Sequence, residues 1–378
     1  MPQRFNFDGQ ILSSVVGGKS AIDLPKLNIH SLNEAQSFIQ GYGFDLDKKN
    51  DQDRLWYFYR RALVLITEKL GYSIELIPEN LRDRKHLEDL RKLLVWASSS
   101  LPRDKELQKW SCAILRCIHV FVHAENDLFS SFSEEIQQQI LAPFQKRIFH
   151  DGNTGGIFLK RSDQGPSESE PLALKGFDVK PFKTSTSTVI KLLAKPDALA
   201  MSVFDKIGVR FVTNSMFDSF RVVRYLVEEN LISFPHIMPD QSSNNLYPAN
   251  LFLKACAELV QSKLHLPPEQ IENFFDTYLE NNIEEAAFFR KTNNFSGANY
   301  RFIKFICRKL IRVQPLGASS ATSSNESPAH QVGHFSFFYP FEVQIMDKSA
   351  SDIIQSGPSD HGSYKERQKQ AARMRLFP

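Results

Sequence analysis

The chain has 378 residues, an apolar fraction of 42% and a formal net charge of +3. That length predicts two domains, and the near-neutral balance says little about partners. No apolar run reaches the roughly 18 residues of a membrane span, the N-terminal MPQRFNFDGQ has no apolar signal region, and Cys112, Cys117, Cys256 and Cys307 form no CxxC pair, so they read as reduced, buried thiols of a cytoplasmic protein.

Residues 1–160 are expected to form a helical cap domain. The runs Arg54–Tyr72, Arg84–Ser100, Lys105–Glu125 and Ser131–Phe149 all repeat apolar residues at helical spacing, with Ser131 or Ser133 as an N-cap for the last. His119 and His123 share one helical face, as a metal pair would, but that face is otherwise apolar and favours core or interface histidines. The VGGKSAID run lacks the first glycine of a phosphate-binding loop and reads as a turn. Residues 161–180, polar with Pro and Gly, read as a linker.

From residue 181 to 378 the pattern predicts an α+β domain with a mixed sheet. A helix around Ser185–Lys195 leads to a strand in FDKIGVRFVT, Phe204–Thr213. A helix over Ser215–Asn230 follows, then a helical insertion over about 231–295 that opens with the loop PHIMPDQSSNNLYP. Tyr300–Pro315 and His334–Asp347 are strands, separated by the small, polar GASSATSSNESPA, which reads as a mobile loop tip. A last helix closes the chain, and most of its basic residues read as a solvated face.

Two strands carry charge where a plain core strand would not. In FEVQIMD, Glu342 and Gln344 share one face while Phe341, Val343 and Ile345 fill the other. In FDKIGVRFVT, Arg210 shares a face with Gly208, whose missing side chain would let a ligand approach, and Asp205 is expected before the regular pleat begins. Two carboxylates meeting from different strands suit Mg²⁺, which takes one or two protein carboxylates and completes its shell with water and phosphate oxygens. An exposed edge with scattered charges gives the same pattern.

FDKIGVRFVT resembles the D-x-x-G-x-R strand of the RelA/SpoT-type (p)ppGpp synthetases, of nucleotidyltransferase fold, and FEVQIMD resembles their E-V-Q-I-R-T strand. NNFSGANYRFIKF is similar to the family's N-G-Y-x-S-x-H stretch and GPSDHGSYKERQ to its H-x-x-Y-K helix. The four occur in the family's order over roughly Lys180 to Arg375, and the N-terminal half has no such match.

The resemblance implies a pyrophosphokinase transferring the β,γ-diphosphate of ATP to a 3′-hydroxyl of GDP or GTP. It implies Asp205 and Glu342 as catalytic residues and Mg²⁺ ligands, Tyr300 stacking on the acceptor base, and Arg210 in the phosphate pocket. Lys191 and Lys195 fit the donor-phosphate region, Lys304 stands where the family has His, and Gln344, His361 and Lys365 complete the substrate-binding set. Met346 and Asp347 depart from the pattern, replacing a phosphate-binding Arg. Three alternatives stay open: another acceptor such as the 3′ end of tRNA, an inactive nucleotide-binding sensor, and a structural protein. RNA and a protein partner for the helical region are further expected partners, a membrane is not, and the His150-Asp151 dipeptide does not predict alarmone hydrolysis.

Overall fold

A computed structural model describes residues 14, 16, 20–125, 132–161, 171–180, 182, 185–195, 203–262, 266–289, 301–313, 335–356 and 361–377. It is a mixed α+β fold containing one seven-stranded mixed sheet, as expected at that coarse level. Among the described residues no helix is long and apolar enough to cross a membrane. The chain divides into two compact units that interleave in sequence: residues 1–130, 184–203 and 365–378 form the first, and 131–183 with 204–364 the second.

The first unit is helical, with Lys49–Val64 and Lys105–Glu125 as its longest N-terminal helices. Lys105–Glu125 shows an apolar stripe running from Trp110 to Val122, which joins the helix to a core containing Tyr59, Leu65, Ile66 and Leu94. The helix expected over Arg84–Ser100 is broken. One turn, Arg84–Leu87, is capped by Asp83, and Glu88 then takes a positive φ of 55°. The Asp89 carboxylate accepts from Arg91 N at 2.9 Å and starts a new helix, Arg91–Ala97. The C-terminal helix, His361–Leu376, buries Gln368, Ala372 and Leu376 four apart. Its basic residues are not all solvated: Arg375 pairs with Asp23 at 2.6 Å and donates to the carbonyls of Leu192 and Leu193, at the C-terminal end of the Ser185–Ala194 helix. Arg373 donates to the Leu70 carbonyl.

His119 and His123 lie side by side in this unit, rings 4.5 Å apart, and His119 Nδ1 is 2.7 Å from the Tyr42 hydroxyl. Burial, with the neighbouring His123 second, lowers the His119 pKa from 6.5 to about 4. Between those values the unfolded chain binds a proton that the folded chain refuses, so stability falls as pH drops through the window. The expected loss is about 3 kcal/mol in full, seen as a lower urea midpoint at about pH 5 than near neutrality and flattened in His119→Asn.

The second unit is built on the sheet, in the order β1-β2-β3-β4-β7-β6-β5. β1 (Ile148–His150) and β2 (Ile157–Leu159) form a hairpin. Asp151 organises its turn by accepting from Asn153 N and the Thr154 hydroxyl, so His150-Asp151 ends a strand rather than a helix. The preceding helix is Ser133–Gln145, in which Ser133 is the first residue rather than the cap. β3 (Leu172–Lys180) pairs antiparallel with β4 (Gly208–Thr213), which pairs parallel with β7 (Phe335–Asp347). β6 (Ile303–Val313) is antiparallel to β7, and β5 (Ile237–Asn244) lies outside it as an edge.

Four of these strands correct the sequence reading, and two of them, β1 and β2, fall in the part expected to be helical. β3 occupies residues expected in the linker. A bulge between Leu174 and Gly176 shifts its pairing, so the inward residues run Leu172, Leu174, then Phe177 and Val179. The alternation changes phase in mid-strand and no single period of two covers it. β5 lies in the segment read as a loop at the start of the insertion. It is polar and holds Pro239, both of which an edge strand tolerates. Among the described residues the insertion also holds two helices, Ala249–Gln261 and Pro268–Asn281, docked through a Phe217–Phe252–Phe275 cluster onto the Met216–Glu228 helix that follows β4. The expected loop tip, residues 317–329, lies outside the described residues. Beneath the apolar face of the sheet, Phe144 packs on Phe211 and Phe341. Gln139 clamps its helix to β6, exchanging two hydrogen bonds with the backbone of Arg312.

Candidate functional site

Register places the polar residues of four strands on one face. Lys180 of β3 stands opposite Gly208 of β4, and Gly208 opposite Glu342 of β7. In the next row Asp178, Arg210, Gln344 and Lys304 of β6 follow one another across the sheet. Side chains alternate along a strand, so both rows project to the same side, opposite Val209, Phe211, Val343 and Ile345. Glycine at 208 has a local cause: an added Cβ would collide with the Glu342 carbonyl oxygen and stand 3.0 Å from the Glu342 Cβ. Its role is close approach of β4 to β7, which corrects the expectation that it admits a ligand.

Glu342 is 6% exposed and its carboxylate is engaged. Lys180 Nζ lies 2.5 Å from Oε1 and also donates to Gln344 Oε1 at 2.8 Å. Arg210 Nε donates to that same amide oxygen at 3.2 Å, and Lys304 Nζ is 3.9 Å from Glu342 Oε2. Burial pushes the Glu342 pKa up, but the ammonium groups of Lys180 and Lys304 outweigh it and hold the carboxyl below its usual range. Asp205 acts on Glu342 in the opposite sense, a like charge that raises the pKa. The two carboxylates are thus near enough to interact. Asp205 is half-buried and precedes the strand, which starts at Gly208, as its spacing predicts.

The departures at the end of β7 have structural causes. Met346 is 1% exposed and packs with Val212, Ala350 and Phe302, closing the polar face with an apolar plug. Asp347 Oδ1 accepts from Ala350 N at 2.7 Å and Ser349 Oγ at 2.8 Å, capping the helix Lys348–Ser356. The cations of this face come from the flanking strands instead, as Lys180, Arg210 and Lys304.

Of the expected site residues, Arg210, Lys304, Glu342 and Gln344 meet on this face, and Asp205, ahead of β4, is near enough for its charge to act on Glu342. Tyr300 and the side chain of His361 lie outside the described residues. Lys191, Lys195 and Lys365 belong to the first unit. Lys180 and Asp178 were not expected; the one trace of them is the alternation of Phe177, Asp178, Val179 and Lys180 at the end of the supposed linker. Glu342 and Asp205 offer the hard oxygens a magnesium ion takes. No group of three or more His, Cys, Asp or Glu suited to a metal occurs among the described residues. Oε1 of Glu342 is taken by Lys180, so on Glu342 the oxygen that fits an ion is Oε2. No protein-family model matches the chain and no curated protein matches it.

Proposed function

We propose that this chain is a magnesium-dependent diphosphotransferase of nucleotidyltransferase fold, moving the β,γ-diphosphate of ATP to the 3′-hydroxyl of a guanine nucleotide. The observation that carries the reading is the gathering of Glu342 with Lys180, Arg210 and Lys304 on one face of four adjacent strands, with Asp205, just ahead of β4, near enough for its charge to act on Glu342. Asp205 and Glu342 would hold Mg²⁺, whose contribution when bound is to neutralise phosphate charge. The acceptor hydroxyl attacks the β-phosphorus as the bond to the AMP oxygen breaks, and its proton passes to water. Lys180, Arg210 and Lys304 oppose the charge that builds on the transferred group. A carboxylate held at low pKa is a weak base, so Glu342 serves as an electrostatic anchor and ion ligand rather than as proton acceptor.

A second reading, a nucleotide-binding sensor without turnover, draws on Lys180 already neutralising Glu342 and on Met346 in place of a cation. One experiment separates them. The chain is incubated with γ-labelled ATP, magnesium and GDP, GTP or tRNA, and the label is followed by chromatography. Labelled guanosine product supports transfer to a nucleotide, and labelled tRNA moves the acceptor to RNA. Calorimetric ATP binding without product favours the sensor, and absence of both binding and product sinks the nucleotide site.

A further inference from the structure

The first unit contains an apolar cavity of about 200 Å³ that the proposed chemistry does not use. Leu27, Ile39, Leu93 and Leu94 form part of its wall. Packed interiors leave few voids larger than a water molecule, and an apolar chamber of about 150 Å³ stays dry and takes up benzene. A cavity of this size is therefore room for a hydrocarbon.

Two cations stand in the same wall, Lys26 and Arg116. Arg116 is 7% exposed and donates to the carbonyl oxygens of Leu376 at 2.6 Å and Leu24 at 2.7 Å. Lys26 Nζ donates to the Ser100 hydroxyl at 2.6 Å. All three acceptors are neutral. Asp23, close in sequence, is paired with Arg375 and acts on Arg116 only as a nearby charge, and among the described residues no carboxylate lies within 4.0 Å of Lys26 or Arg116. Buried charges are ordinarily paired, and a guanidinium has five N–H donors, more than the two carbonyls use. The other polar pair of the wall, Tyr42 and His119, supplies no counter-charge. Burial raises the Tyr42 pKa to about 12 and lowers that of His119 to about 4, so both are neutral near pH 7.

We infer that this cavity binds a free amphipathic carboxylate of about eight carbons, its chain against the leucine wall and its carboxylate on Lys26 and Arg116. A tail of that size is about half a membrane acyl chain, which marks the ligand as a free acid and not a bilayer lipid. This site is independent of the sheet chemistry, and either reading can fail without the other.

Calorimetric titration of the full chain with octanoate tests it. Saturable one-site binding is expected, with octylamine at least about tenfold weaker because its charge has the wrong sign. Lys26→Gln, at a half-exposed position, is expected to weaken octanoate about tenfold while circular dichroism stays unchanged. Leu27→Phe, which narrows the chamber without touching either cation, is expected to weaken it as well. No octanoate binding up to about 1 mM overturns the proposal, as does equal affinity for octylamine. Co-sedimentation with phosphatidylglycerol vesicles that octanoate does not compete away overturns the free-acid assignment.

Discussion

Lys180→Met is expected to cost the second unit about 2–4 kcal/mol of unfolding free energy, while Lys180→Met combined with Glu342→Gln regains a good part of it. The reason is burial. Glu342 is 6% exposed and Lys180 is its hydrogen-bonded cation at 2.5 Å, whereas Lys304 stands at 3.9 Å, beyond hydrogen-bond length. Removing Lys180 leaves a carboxylate desolvated and short of a partner, which costs more than the pair contributed. Removing the charge as well relieves that penalty. Urea unfolding followed by circular dichroism reads both variants, and a neutral Lys180→Met sinks the buried-pair description. The pH dependence has a definite sign. Glu342 has its folded pKa below the unfolded value of 4.5, so its stabilisation is complete above that pH. It is lost as pH falls from there through the depressed folded value. Lys180→Met should flatten this acid limb.

Asp205→Asn is expected to lower diphosphate transfer by about a thousandfold or more, with the circular dichroism of the folded chain retained. Asp205 is half-buried and lies before β4, so it contributes a charge to the site and no ladder hydrogen bond to the sheet. An amide at that place keeps shape and loses the anion that magnesium and its triphosphate require. Full activity in Asp205→Asn ends the transferase reading. Loss of transfer with ATP binding retained separates chemistry from recognition. Binding unchanged by both the substitution and magnesium removal points to the sensor.

Much of the site was legible before any coordinates. The alternation in FEVQIMD put Glu342 and Gln344 on one face, and β7 keeps them there beside Arg210. Spacing put Asp205 ahead of its strand, and β4 begins after it. These are local properties, carried by a period of two within a few residues. Lys180 escaped because the bulge near Gly176 reversed the alternation of its strand, and because its significance lies in a partner 162 positions away. Gly208 was seen, but its reason was misread, since only the neighbouring strand reveals what a Cβ would strike.

The amino-acid sequence alone determined that the Lys105–Glu125 and Met216–Glu228 segments are helical, that β4, β6 and β7 are strands, and which faces of β4 and β7 are polar, because these follow from neighbours along the chain. Tertiary structure alone decided that β1, β2, β3 and β5 join the sheet, that the two units interleave, and that Asp347 caps a helix while Met346 fills a core. It also decided that Glu342 is gripped by Lys180. Pairing between distant segments depends on register and burial, and a side chain's charge state depends on what folding brings beside it. Neither is written in the spacing of residues along one strand.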